Sequence, residues 1–148
     1  MSRLYLLDTN ILIRYVRRDE LAQNLEQQYG LLVTEMIPLI SAVSVAEVRS
    51  FARRREWGEP RMTQLRFLLT MFRRLEIQST GIEDAYVTLD VYSHSVGVTM
   101  GKNDLWIAAT ALVSGATLLT TDQDFDHLAG TFLDRRWIDP LTNHHGTS

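Results

Sequence analysis

Leu4-Tyr5-Leu6-Leu7-Asp8-Thr9-Asn10, followed at once by Ile11-Leu12-Ile13, is the stretch that decides how this chain is read. Four apolar residues in a row, closed by an acid, read as a short strand buried on both faces, the kind found in the centre of a parallel sheet. Thr9 and Asn10 stand where a helix should begin. An ionised carboxylate at the end of a buried strand is costly unless something positive meets it. The amides of the following helix or a bound cation can do so, which makes Asp8 the first candidate metal ligand.

Outward from there, Asn10 to Arg18 reads as a helix with Leu12, Ile13 and Val16 inward, and with Asn10, Arg14 and Arg17 at i, i+4 and i+7 on another face. A second helix is expected from Asp19 to Glu35, with Gly30 weakening its second half. Pro38-Leu39-Ile40-Ser41 is the next strand. Ser44-Val45-Ala46-Glu47 opens a helix that continues to Trp57. Pro60 suits the first turn of a further helix reaching Leu75, apolar on more than one side between Met62 and Phe72 and so expected to meet a partner as well as the core.

Leu75-Glu76-Ile77-Gln78 alternates like an edge strand, and Ile82 to Val96 has the period of an amphipathic helix. Gly101-Lys102-Asn103-Asp104 leads into Leu105–Leu112, apolar all round and expected to be a buried central helix. Ala116–Thr120 is a second buried strand, with Gly115 stopping the helix before it. Thr121-Asp122-Gln123-Asp124-Phe125 turns into a short helix ending near Ala129. Thr131–Leu133 or Trp137-Ile138 supplies the last strand. Trp57 and Trp106 read as core or interface residues, and His127 as exposed.

Strands alternating with helices, with few hairpin signals, predict an α/β fold: a parallel sheet of about four or five strands wrapped by helices. In such folds ligands bind beyond the carboxyl ends of the strands. Residues 1–141 are expected to form one domain and 142–148 a disordered polar tail. The 45% hydrophobic and 22% charged content is that of a soluble globular protein, and the absence of cysteine excludes disulfides and thiolate metal sites. No apolar run is long enough to span a bilayer, and Asp8 breaks the only N-terminal run that a signal peptide would need, so a cytoplasmic protein is expected.

The net charge of −3 hides an asymmetry: residues 1–74 carry twelve Arg against eight acids, and residues 75–148 carry three cations against ten. An Arg-rich surface beside an acidic cluster fits a metal nuclease, and fits equally a surface for an acidic protein partner.

Four acids are placed to meet on one rim. Asp8 and Asp122 each follow an apolar strand, and Glu47 and Asp104 fall in the first turns of helices. Each has a structural alternative. Ser44-x-x-Glu47 has the spacing of a capping box, Asp104 suits a helix dipole, and Asp122 suits the cap of the turn at Phe125. Together they are harder to explain away, because clustered carboxylates raise one another's pKa unless a cation neutralises them. An all-oxygen site suits Mg2+ or Mn2+, which bind substrate phosphate and activate water. Thr9, Thr120 and Thr121 are candidates for orienting the carboxylates, and Asp124 is a second-tier acid.

Asp8-Thr9-Asn10, Glu47 after Ser-Val-Ala, Asn103-Asp104-Leu105-Trp106-Ile107-Ala108-Ala109 and Leu119-Thr120-Thr121-Asp122-Gln123-Asp124-Phe125 resemble, in order, the motifs of PIN-domain nucleases, and more narrowly those of VapC-type toxins of toxin–antitoxin pairs. The resemblance covers the chain from about Leu4 to Trp137. It implies a three-layer α/β/α sandwich and a Mg2+- or Mn2+-dependent endoribonuclease that hydrolyses RNA by metal-activated water. It carries over Asp8, Glu47, Asp104 and Asp122 as the acidic quartet, with Asp124 where some members place a further acid and Asn10 beside the first motif. It also implies a VapB-like antitoxin that covers the site, and a toxin homodimer. Arg14, Arg17 and Arg54 are candidates for contacting RNA phosphate or an antitoxin carboxylate. The competing expectations are a free-standing RNA-processing nuclease and a metal-binding interaction domain without catalysis.

Overall fold

A computed structural model describes residues 3–141; the expected tail at 142–148 lies outside them. Five short strands, β1 (Tyr5–Leu7), β2 (Leu39–Ser41), β3 (Arg73–Leu75), β4 (Thr117–Thr120) and β5 (Arg135–Trp137), form one sheet in the order β3-β2-β1-β4-β5, every pairing parallel. β1 lies at the centre, paired through Leu6 to Leu39 on one side and through Leu6 to Leu118 on the other.

The period-two geometry of a strand divides the core. Leu7, Ile40 and Leu119 point to one face, where α1 (Thr9–Arg17), α2 (Glu20–Tyr29), α3 (Ala42–Arg54) and α4 (Glu59–Thr70) pack. Leu6, Leu39 and Leu118 point to the other, covered by α5 (Ile82–Ser95) and α6 (Lys102–Ser114). This is the three-layer α/β/α sandwich expected from the alternation of elements. Burying both faces is why these strands are apolar runs rather than alternating ones.

Several boundaries differ from the sequence expectation, each for a local reason. α2 stops at Tyr29, where Gly30 takes φ +59 and its amide bonds back to Glu26, so the helix does not reach Glu35. α4 stops at Thr70, and the edge strand is Arg73–Leu75 rather than Leu75–Gln78, since its position is set by pairing to Leu39–Ser41. The last strand is Arg135–Trp137, overlapping the second of the two expected segments; Thr131–Leu133 provides one isolated bridge from Leu133 to Ala129.

The start of α3 corrects the capping-box reading. Ser41, not Ser44, is the cap, its hydroxyl accepting from Val43 N at 3.0 Å. Ser44 and Glu47 therefore lie one turn further into the helix, where no free amide remains for Glu47 to close upon. Its carboxylate is left for other partners. α4 likewise resolves its broad apolar character: Leu65, Leu68 and Phe72 are buried in the core, whereas Phe67 is 69% exposed.

Candidate active site

The strand order places the site. From β1 the chain winds through β2 to β3 on one side, then crosses back to β4 and β5 on the other. The connections leaving β1 and β4 thus part in opposite directions and open a crevice at their carboxyl ends. Asp8 follows β1 and Asp122 follows β4, so the two acids face each other across that crevice. A cavity of about 600 Å3 there is lined by Asp8, Thr9, Asn10, Glu47, Asn103, Asp104 and Asp122, with Ile13, Val43, Ala46, Ser50, Phe51 and Arg54 completing its wall.

Asp8 is 4% exposed and caps α1. One carboxylate oxygen accepts from Thr9 N at 2.8 Å and the other from Thr120 Oγ1 at 2.6 Å. The same Thr120 hydroxyl accepts from Asp122 N at 2.9 Å, so a fully buried threonine ties both strand ends together. Glu47 reaches the cleft from the second turn of α3. Its Oε1 accepts from Thr9 Oγ1 at 2.6 Å and its Oε2 from Asn103 Nδ2 at 2.9 Å, while Ser44 Oγ, fully buried, lies 3.0 Å from Thr9 Oγ1. Asp104 stands in the first turn of α6. Asp122 caps the 3-10 helix Gln123–Leu128 by accepting from Asp124 N at 2.9 Å.

Carboxylate oxygens of Asp104, Asp122 and Asp124 all lie within 4.8 Å of one another, close enough to hold one metal ion. Asp124, a second-tier candidate in the sequence, thus stands beside two of the quartet. Asp8 and Glu47 border the same cleft with both of their oxygens already engaged.

Burial and crowding set the electrostatics. Burial pushes the Asp8 carboxyl up to about 6 against the opposing hydrogen bonds from Thr120 and Thr9, and the Asp122 and Glu47 charges add to the rise. Burial likewise raises Asp104 to about 7, reinforced by Asp8, Asp122, Asp124 and Glu47. Asp124 is raised mainly by the Asp122 charge. No salt bridge among the described residues reaches any of the five acids. Uncompensated, hard, all-oxygen donors of this kind fit a divalent cation such as Mg2+ or Mn2+.

A pH dependence follows. Asp8 and Asp104 titrate higher in the fold than at their ordinary 3.8, so their ionisation is penalised there. Their contribution is fully present below pH 3.8 and is lost as pH rises through about 6 to 7. The metal-free protein should lose on the order of 2 kcal/mol at Asp8 alone between pH 4 and pH 8. Urea denaturation in chelator across that range reads it; stability that instead rises towards pH 8 overturns the assignment.

Other expected residues fall elsewhere. Arg14 pairs with Asp19 at 3.1 Å and is not part of the cleft wall; Ile13 takes that place, so the cleft face of α1 runs through Asn10 and Ile13. Arg17 lies over the Phe51 ring, and Arg54 stands in the wall itself. Thr121 offers its carbonyl to Trp137 Nε1 at 3.1 Å. His127, expected to be exposed, is half-buried, its Nε2 2.8 Å from Ser93 Oγ. Three contributors were missed. Asn103 was visible as a motif residue without a role. Ser50 and Phe51 follow Glu47 at i+3 and i+4, a spacing that would have found them once Glu47 was taken as facing the cleft.

No curated protein sequence matches the chain. Solved structures do. VapBC2 from Rickettsia felis, bound to a DNA fragment from their promoter, superposes with a TM-score of 0.76 at 24% identity, over 90% of this chain and 97% of that one. VapBC-1 from nontypeable Haemophilus influenzae gives 0.70 at 26%, over 90% and 97%. A toxin–antitoxin complex from Klebsiella pneumoniae gives 0.65 at 25%, over 86% and 92%. The family model described as PIN domain matches residues 5–131, which take in every acid of the cleft, and the chain belongs to the PIN domain family.

Proposed function

We propose that this chain is the toxin of a VapBC-like toxin–antitoxin pair and acts as an endoribonuclease dependent on Mg2+ or Mn2+. The observation that carries the reading is the crowding of Asp8, Glu47, Asp104, Asp122 and Asp124 on one rim, two of them pushed towards neutrality and none ion-paired among the described residues. The similarity to VapBC structures and to a toxin–antitoxin complex supports the biological setting.

The residues divide the work. Thr9 and Thr120 fix the rotamer of Asp8, and Thr9 with Asn103 fixes Glu47 across the mouth of the cleft. With those oxygens engaged, the carboxylates of Asp104, Asp122 and Asp124 are the open donors for a cation. A divalent ion bound there supplies Lewis-acid stabilisation of charge at phosphorus and acidifies water. A carboxyl raised to about 7, as at Asp104, is poised to take or return a proton near neutral pH. Ile13, Val43 and Phe51 give the cleft an apolar wall that limits water around the reacting phosphate.

A second cavity of about 600 Å3 supports a partnered protein over a free-standing nuclease. It lies between α1, α2 and α4, and Tyr15, Val16, Leu32, Phe67, Leu68 and Met71 make it largely apolar. We assign it to the antitoxin. An exposed Phe67 beside such a groove is a surface that a lone soluble protein rarely keeps.

Purified protein incubated with cellular RNA and Mg2+ or Mn2+ should cleave at defined sites, and EDTA should stop it. Absence of cleavage of transfer, ribosomal and messenger RNA with both metals overturns the enzymatic reading.

A further inference from the structure

Beside the acidic cleft, α3 and the turn into α4 carry a cluster that the quartet does not explain. Glu47, Ser50, Phe51 and Arg54 repeat at i, i+3, i+4 and i+7, so one stripe of α3 runs from the acids along the cleft wall. Where the stripe ends, two aromatic rings meet edge-on, Phe51 and Trp57, with centroids 5.9 Å apart. Three guanidiniums lie over them. Arg17 of α1 and Arg55 sit 5.5 and 4.7 Å from the Phe51 ring centre, and Arg61 of α4 sits 5.1 Å from that of Trp57. Arg17, Arg54, Arg55 and Arg61 are all exposed, and none forms a salt bridge among the described residues. Of the two acids nearest in sequence, Glu59 is engaged by Arg66 at 2.9 Å, which leaves Glu56 alone among them.

This arrangement is unusual for solvated arginines. A free guanidinium on a surface samples many rotamers, and ordering it costs side-chain entropy. Laid over a ring it is already ordered, with its N–H edge and outer planar face still turned to solvent. Three such groups, with Arg54 between them and the acids, make a preordered cationic lane that ends in the cleft. The cleft is negative and the lane positive, so a polyanion is drawn to the lane and only its reacting phosphate is delivered to the acids.

We propose that Arg17, Arg54, Arg55 and Arg61, held on the Phe51–Trp57 pedestal, form the track that binds the backbone of single-stranded RNA next to the scissile bond. The proposal rests on the endoribonuclease reading and names the form of RNA it takes. Single strands are favoured over duplex because planar guanidiniums offer stacking faces, which unpaired bases meet and paired ones cannot. The cleft's position at the bottom of a sheet edge, walled by α1 and α3, also suits one strand.

The test uses full-length protein carrying Asp8→Asn, so that RNA is bound without being cut. A short fluorescent single-stranded RNA, the same sequence as a duplex, and a poly-glutamate chain are titrated by anisotropy at several salt concentrations. Single-stranded RNA should bind best. Arg55→Ala with Arg61→Ala should weaken it about tenfold and reduce the salt slope by about 1.4, two phosphate contacts at about 0.7 each. Phe51→Leu keeps every charge and should weaken binding with a nearly unchanged slope, with circular dichroism checking the fold. An unchanged affinity and slope in the double variant, while wild-type protein still cleaves RNA, overturns the track and leaves the nuclease standing. The stated change in slope without cleavage by wild type supports the track and overturns the nuclease. Poly-glutamate bound as tightly as RNA, and lost in the same variants, makes the surface a docking face for an acidic protein and overturns the RNA assignment.

Discussion

Asp8→Asn is expected to lower RNA cleavage by about a thousandfold or more, the scale seen when a group acting in the transition state is removed. The same change should leave the fold intact. Asn fills the same volume, its oxygen still accepts from Thr9 N, and Thr120 Oγ1 can take the amide as donor in place of its bond to the carboxylate. At pH 8 the metal-free variant should melt a few degrees higher than wild type, because the buried charge that raises the Asp8 carboxyl to about 6 is gone. At pH 5 the gain should shrink, since Asp8 is then largely neutral in the wild type. Cleavage assays and melting at the two pH values read both halves together. Full activity in the variant sinks the assignment of the site, and a large loss of melting temperature makes Asp8 a structural residue instead.

Phe125→Ala is expected to cost about 3–5 kcal/mol of stability. Phe125 is fully buried and the largest side chain so placed. It packs within the core layer formed with α5 and α6, and it pins the 3-10 helix Gln123–Leu128 that follows Asp122. Its loss should therefore also loosen the positions of Asp122 and Asp124 and depress cleavage beyond what the unfolded fraction explains. Urea titration with a parallel activity assay measures both. Phe67→Ala is the contrast: its ring is 69% exposed, so stability should shift by no more than about 0.5 kcal/mol. Equal costs at the two positions contradict this account of the core.

These two phenylalanines mark how far sequence reading reaches. Period-two and period-3.6 patterns placed β1, β2, β4 and the core helices, because two-sided burial of a parallel strand demands an unbroken apolar run. Strand ends were readable for the same reason: the polar residue that breaks the run is the one that reaches the rim. Asp8 and Asp122 were found that way. Glu47 was found for a mistaken local reason, as the partner of a Ser44 cap. It faces the cleft because the helix begins three residues earlier, at Ser41, which turns its stripe towards the acids.

What the sequence by itself determined is the apolar core of the sandwich, its sheet direction and the four acids in order. Those follow from near neighbours, whose burial and turn chemistry leave a local trace. Tertiary structure alone decided that β1 is central with β4 beside it, and so that Asp8 and Asp122 share one crevice. It also decided that Thr9 and Asn103, 94 positions apart, hold the two oxygens of Glu47, and that Arg14 turns to Asp19 while Arg17 turns to Phe51. Contacts between residues far apart in the chain depend on how helices pack on the sheet, and no short window of sequence carries that geometry.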